Sequence, residues 1–266
     1  MVVRPRGAGR RTRAEAVALT PDDHQLAVEL ATEAGHLLVE LRSSLLDQGV
    51  SPAELKEEGD RQAHELIVAR LEATRPEDSV LSEEGADNPE RLDASRTWIV
   101  DPLDGTREFG EPPRTDWAVH VALWERAELT AGAVALPALE VTLGTRPASP
   151  LPEPHDGRPR IVASRTRPGP AADALVASLG GELLHMGSAG AKSMAVVRGE
   201  ADIYAHTGGQ YEWDSAAPVA VALAAGFHAS RLDGSPLVYN RPDPYLPDLL
   251  ICRPELAEVC LDALRD

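Results

Sequence analysis

Leu26, Leu30, Leu37, Leu38, Leu41 and Leu45 recur at the 3.6-residue period of an α-helix. The spacing predicts one long amphipathic helix reaching about Leu46. Ahead of it, Thr20-Pro21-Asp22-Asp23 supplies a capping residue, a proline for the first helical position and acids for the first turn. Gln48 to Glu58 reads as a loop. Asp60 then opens a second helix, with Ala63, Leu66, Ile67 and Leu71 along it. Beyond it the period shortens. Ser79 to Ser82 reads as a strand ending at Glu83-Glu84, and Trp98 to Val100 as a second, buried strand. Trp117 to Trp124, Glu128 to Leu136 and Leu139 to Leu143 form an antiparallel meander. His120, inside the first of these, reads as a packed residue.

Pro147, Pro150, Pro152 and Pro154 crowd the stretch from Arg146 to Arg158, the clearest boundary in the chain. After it strands and helices alternate. Strands are expected at Ile161–Ala163, Ala201–Tyr204 and Leu249–Ile251. Helices are expected at Ala171–Leu179, Ser188–Val197, Asp214–Ala225 and Pro254–Leu264. The division that follows is a disordered tail over 1–18, an α+β half over 19–146, a Pro-rich linker over 147–158 and a layered α/β half over 159–266.

Composition narrows the class. The 266 residues are 43% apolar and 26% charged, enough for a sizeable core. Net charge is −17. Arg4, Arg6, Arg10, Arg11 and Arg13 lie in the first thirteen residues, so the rest holds 21 basic against 43 acidic residues, a net −22. Such a body repels nucleic acid polymers. Any anionic substrate needs a local cationic site. Cys252 and Cys260 have neither metal-ligand spacing nor a disulfide framework around them, and read as buried thiols of a reducing compartment. No apolar run approaches a membrane span, and the arginine-rich start has no apolar segment of a signal peptide. A cytoplasmic protein is expected.

The chemistry concentrates in Trp98-Ile99-Val100-Asp101-Pro102-Leu103-Asp104-Gly105-Thr106. Two carboxylates stand three residues apart on a stiff turn where a strand ends, with the Leu103 carbonyl between them. Oxygen ligands of this kind suit a hard cation such as Mg²⁺. The amides of Gly105 and Thr106 come next and suit a phosphate oxygen. Further acids stand at element boundaries: Asp60, Glu83-Glu84, and Asp214 within Glu212-Trp213-Asp214-Ser215-Ala216-Ala217. Asp60 and Asp214 also read as helix N-caps. Four carboxylates around one cavity repel one another, and divalent ions relieve that repulsion.

D-P-x-D-G-T followed at long range by W-D-x-A-A resembles the inositol monophosphatase superfamily of Mg²⁺-dependent, lithium-sensitive phosphatases. Within it, D-G-T-R-E-F and E-W-D-S-A-A are most similar to the CysQ-type 3'(2'),5'-bisphosphate nucleotidases. The resemblance implies an alternating α-β-α-β-α sandwich. It implies two or three Mg²⁺ ions held by Glu83, Asp101, the Leu103 carbonyl, Asp104 and Asp214. Asp60 and Thr106 would take a proton from the attacking water, with Glu84 beside it. Gly105, Thr106, Arg107, Ser188, Lys192 and Glu212 would bind substrate, and Tyr211 would stack on adenine. The implied reaction removes the 3'-phosphate of 3'-phosphoadenosine 5'-phosphate, and of phosphoadenylyl sulfate, in sulfate assimilation. Broad inositol monophosphatase or fructose-1,6-bisphosphatase activity is the alternative, and an inactive phosphate-binding module a third reading. Relatives include dimers, so a homodimer is possible. One departure stands out: Glu57 occupies the place of the family's threonine three residues before Asp60.

Overall fold

The computed structural model describes residues 22–265. The expected tail over 1–18 and the expected cap at Thr20-Pro21 lie outside them. The first helix, α1 (Asp23–Asp47), starts at Asp22, whose carboxylate accepts from the Gln25 amide. The second helix, α2 (Pro52–Thr74), begins eight residues before Asp60. Ser51 caps it and Glu54 closes a capping box. The stretch read as a loop up to Glu58 is therefore mostly helix, and Asp60 is a mid-helix residue instead of an N-cap.

Two five-stranded sheets follow. The first runs β1 (Ser79–Ser82), β2 (Arg96–Asp104), β3 (Ala118–Glu125), β4 (Glu128–Leu136) and β5 (Val141–Gly144), in that spatial order. β1 pairs parallel with β2, and the others form the expected antiparallel meander. A four-residue helix, α3 (Thr106–Phe109), leaves the end of β2. The second sheet contains β6 (Arg160–Ser164), β7 (Glu182–Met186), β8 (Ile203–Tyr211), β9 (His228–Ser230) and β10 (Tyr245–Cys252), in the order β7-β6-β8-β10-β9. Its helices are α4 (Pro170–Leu179), α5 (Ala189–Val197), α6 (Glu212–Ala224) and α7 (Ala257–Arg265).

β7 and β9 are absent from the sequence reading, and β8 and β10 run well past the apolar cores that marked them. β7 is an edge strand with exposed Glu182 and His185, and β9 has three residues. Neither carries an apolar run. The outer half of β8, His206 to Gln210, is too polar and glycine-rich to read as a strand, yet it pairs with β10.

Strand alternation assigns the layers. Trp98 and Val100 of β2 and Val119, Val121 and Leu123 of β3 pack against α1 and α2. Ile99, Ala118 and Ala122 point the other way, into a central core with Met194 of α5 and Ala216, Ala217 and Val221 of α6. The outer face of the second sheet holds Ile161, Ile203 and Leu250 against Ala172 and Leu175 of α4 and Cys260 of α7. The order α1/α2, sheet, α5/α6, sheet, α4/α7 is the expected five-layered sandwich. Both cysteines are free and buried. No helix among the described residues is long and apolar enough to cross a membrane.

Candidate active site

Residues three apart on a regular strand point to opposite faces. Asp101 and Asp104 nonetheless share one side. Asp101 pairs with His120 and Asp104 with Ala118, so three residues of β2 are spanned by two of β3. This bulge carries the extra residue beside Pro102 and returns Asp104 to the face of Asp101. The strand thus runs through the motif instead of stopping at Asp101. That face is the one bearing Ala118, His120 and Ala122, turned toward α5 and α6. Asp214, the third residue of α6, meets the pair there. It is not the N-cap: its carboxylate accepts from the Tyr211 amide at 2.7 Å. Oxygen atoms of Asp101, Asp104 and Asp214 lie within 4.8 Å of one another.

The three carboxylates differ in their partners. Asp104 accepts from the Ser188 hydroxyl (2.5 Å) and from the amides of Ala189 (3.1 Å) and Gly190 (2.6 Å), at the start of α5. His120 Nε2 lies 3.2 Å from the same carboxylate, an ionic contact without hydrogen-bond alignment. Burial alone would raise the Asp104 pKa. The charge and contact of His120, Lys192 and the Ser188 hydroxyl outweigh it and hold Asp104 below the usual carboxylate range. Burial would lower the His120 pKa, and the Asp104 charge turns that into a rise. Asp101 accepts from the Leu103 amide, at 3.1 Å, within two residues of itself. Burial and the charges of Glu83, Asp104 and Asp214 push its pKa well up. Burial and Asp104 raise Asp214 to about 6. Glu83 is tethered to β2 by its amide on the Val100 carbonyl (3.3 Å). Although its side chain reaches solvent, loss of water on its cavity side, with Asp214, Asp104 and Glu84, raises it to about 7. Three groups that favour protonation around one that stays ionised are the donor chemistry of a divalent cation site, and a hard cation fits it.

The Leu103 carbonyl is not free, because it accepts from the Thr106 hydroxyl at 3.1 Å. The same hydroxyl reaches Asp60 Oδ1 at 3.4 Å. Burial, then Glu84, raises the Asp60 pKa to about 7. Asp60, Glu84, Thr106 and Arg107 line one cavity, and Thr106 and Arg107 also line a second, of about 690 Å³, that holds Glu83, Asp104 and Asp214. Between them Gly105 turns at φ +86°, where an added Cβ would lie 3.0 Å from the Ser188 Cβ.

Two expected substrate contacts are engaged elsewhere. Lys192 lines the second cavity but is buried, and its ammonium donates to the Gly187 carbonyl at 3.0 Å and to the Ser188 carbonyl. Glu212 accepts from the amides of Asn240 (2.6 Å) and Arg241 (2.9 Å) and does not line the cavity. Arg91, also buried, anchors the same segment through Asn240 Oδ1 and the Arg241 carbonyl. Glu212 thus positions the start of α6, and with it Asp214. Tyr211 lines the cavity with one ring face stacked on Trp213 at 4.8 Å. Tyr245 crosses it edge-on at 6.1 Å. Ser188 turns its hydroxyl to Asp104. Arg107 is exposed at the cavity wall.

His120 is the residue that sequence reading set aside. Its period-two relation to Ala118 and Ala122 was the available signal, since it puts the ring on the face that Asp101 and Asp104 share. Its fit is tight: a Cβ on Gly190 would lie 2.0 Å from His120 Nε2. Gly190→Ala should therefore lower the unfolding free energy by about 2 kcal/mol through overpacking and reduce activity by displacing α5 from Asp104. Thermal unfolding of the purified variant reads the first effect; unchanged stability would show that the α5 start yields freely.

The model of the inositol monophosphatase family matches residues 22–148 and 160–265. The chain belongs to that family. It is a phosphoric monoester hydrolase. The chain is 52% identical over 248 residues to the 3'-phosphoadenosine 5'-phosphate phosphatase of Mycobacterium bovis, covering 88% of this chain and 90% of that protein. It is 29% identical over 237 residues to the 3'(2'),5'-bisphosphate nucleotidase CysQ of Escherichia coli K12, covering 82% and 94%. Among solved structures, CysQ from Bacteroides thetaiotaomicron superposes with a TM-score of 0.76 at 28% identity, covering 86% and 96%. The family's phosphatases are generally metal-dependent, in keeping with the acidic trio.

Proposed function

We propose that this enzyme hydrolyses 3'-phosphoadenosine 5'-phosphate to AMP and phosphate with Mg²⁺, and serves sulfate assimilation. The 3'-phosphate of phosphoadenylyl sulfate is a second substrate under the same reading. The observation that carries the chemistry is the convergence of Asp101, Asp104 and Asp214 beside the Thr106–Asp60 contact. The mycobacterial relative at 52% identity supports the choice of nucleotide. Asp101, Asp104 and Asp214, with Glu83 and the second lone pair of the Leu103 carbonyl, would hold Mg²⁺. Bound Mg²⁺ supplies Lewis acidity for water and for the leaving oxygen. The chain's own residues orient and move the proton. The Thr106 hydroxyl accepts a proton from the attacking water as it hands its own to Asp60. Burial and Glu84 hold Asp60 at about 7, suited to proton transfer near neutrality. The Gly105 and Thr106 amides face the scissile phosphate. The free surface of Tyr211, with Tyr245, receives the base.

The test compares kcat/KM for 3'-phosphoadenosine 5'-phosphate, fructose 1,6-bisphosphate, inositol 1-phosphate and AMP, with lithium added against a sodium control. The nucleotide bisphosphate should lead and lithium should inhibit. A lead for inositol phosphate beyond tenfold, about 1.4 kcal/mol of transition-state binding, would overturn the substrate assignment.

A further inference from the structure

We infer that Arg42 of α1 is a positioning residue for the reaction: its guanidinium clamps α3 and the loop after it, and so sets the Thr106 hydroxyl against Asp60. This rests on the proton-transfer reading of that pair above. Thr106 and Phe109 open and close α3, a single turn of four residues. A helix this short has no stability of its own, because one turn fixes more backbone than its hydrogen bonds repay. Its place is set by its neighbours, and Arg42 is the neighbour at its C-terminal end. Nη2 of Arg42 donates to the Glu108 carbonyl at 3.2 Å, and Nη1 donates to the Arg114 carbonyl at 2.9 Å. A cation suits the last carbonyls of a helix. The planar guanidinium fork lets one side chain hold both ends of the loop. Arg165 holds the Glu108 carboxylate at 2.5 Å from the cavity side, so the two arginines grip the same residue from opposite directions.

Arg42 forms no ion pair among the described residues. That matters in a chain with 43 acidic residues. Its guanidinium carbon lies 5.5 Å from the Phe109 ring centre and 5.7 Å from that of Trp117. The two rings are buried and meet edge to face at 5.0 Å. Ring faces and carbonyl dipoles therefore balance the charge where a carboxylate usually does. Packing alone would be met by an apolar side chain, without the cost of an Nε that is buried and unpartnered. The clamp reaches the site through Phe109. On its other side that ring meets Gly59, where an added Cβ would lie 2.8 Å from Phe109 Cε1. Gly59 immediately precedes Asp60 in α2. Arg42, Phe109 and the Asp60 turn of α2 thus stack in one line, with Thr106 at the start of the same short helix. Its hydroxyl meets Asp60 at 3.4 Å, near the limit of a hydrogen bond, so a small shift of α3 breaks the contact. At the far end of the loop, Asp116 accepts from the Arg114 guanidinium and from the Gly187 amide at 2.5 Å. That end is tied to the start of α5 without Arg42. Arg42 lines neither cavity of the site, so it acts through α3 and not on substrate.

The experiment measures kcat and KM for 3'-phosphoadenosine 5'-phosphate in the full chain with Mg²⁺, through a double-mutant cycle of Arg42→Met and Thr106→Ala. Methionine keeps the bulk of the stem and removes the donors. Rates are taken below the unfolding midpoint of every variant, read by circular dichroism. Arg42→Met should lower kcat by about tenfold or more and move KM by less than about threefold, the pattern of an arrangement used only in the transition state. In the Thr106→Ala background the same change should lower kcat by less than about threefold, because the group it positions is gone. Arg42→Lys keeps the charge and one donor and should recover part of kcat. Where Arg42→Met does not fold, Arg42→Lys takes its place in the cycle, with the same non-additivity expected. An undiminished kcat in Arg42→Met, or an equal loss with and without the Thr106 hydroxyl, overturns the inference while the nucleotidase reading stands. Full kcat in Thr106→Ala overturns the proton-transfer reading and the inference with it. A wild-type enzyme that does not cleave the nucleotide overturns all three.

Discussion

Asp104→Asn is expected to remove nearly all turnover and to destabilise the fold, whereas Asp101→Asn removes turnover while leaving the metal-free protein as stable or more so. Both lose a ligand, and a drop in kcat of about a thousandfold or more is the scale of a lost electrostatic contact in such a site. Stability separates them because their partners differ. Asp104 receives the Ser188 hydroxyl and two amides of α5, with His120 at 3.2 Å. Its ionised form is favoured by that set, which lowers its pKa. An asparagine there turns a neutral NH₂ toward donors, at a cost of about 2–3 kcal/mol for the buried groups left unmatched. Asp101 has one local amide partner and three repelling carboxylates, so its charge opposes folding when no cation is present. An isosteric amide removes the repulsion. Urea unfolding in chelator, alongside phosphate release in Mg²⁺, measures both effects. Equal stability losses in the two variants would contradict the division of roles.

Metal-free protein should unfold at a higher temperature at pH 5.5 than at pH 8, and Mg²⁺ should raise the pH 8 value most. The sign follows from linkage. Glu83 and Asp60 titrate near 7 and Asp214 near 6, with Asp101 also raised. In the unfolded chain these groups ionise near 4. A carboxyl whose folded pKa is raised binds a proton more tightly when folded. Its penalty is absent below about 4, grows as pH rises to about 7, and is complete above that. His120 acts in the same direction, because its raised pKa gives stability below the unfolded value that is lost as pH rises through the folded one. Asp104 and the salt-bridged Asp23 and Asp202 act oppositely, but they lose their contribution only as pH falls below about 4. His206 and His228, whose pKa burial lowers, oppose the cluster inside the window from 5.5 to 8, but they are two groups against the raised Glu83, Asp60, Asp214, Asp101 and His120, so the cluster sets the sign. Scanning calorimetry in chelator and in Mg²⁺ at both pH values is the measurement. A stability that rises with pH in chelator would mean that the carboxylates do not oppose one another.

The elements with a strong local period were legible. The leucines from Leu26 to Leu45 needed no tertiary knowledge to read as one helix. The meander showed in the apolar alternation from Trp117 to Leu143, and the acids of the D-P-x-D-G-T and W-D-x-A-A motifs were all on the page before the fold was. What the chain's local pattern determined is where it coils, where it extends and which residue types cluster at the ends. What a given side chain faces is a different quantity, set by register and by distant segments. The bulge that turns Asp101 and Asp104 to one side comes from pairing with β3, which no spacing within β2 encodes. Asp60 read as a helix start because an acid before an apolar run does so; Ser51 and Glu54 had already started that helix, and tertiary packing placed Asp60 against Thr106. Lys192 and Glu212 were expected as substrate contacts because the resemblance to bisphosphate nucleotidases implied that role. Burial instead matched one to the Gly187 and Ser188 carbonyls and the other to the Asn240 and Arg241 amides, since an unpaired buried charge costs more than a distant contact can return. His120 looked like packing and became the neighbour of Asp104, because only the assembled sheet sets β3 beside the start of α5.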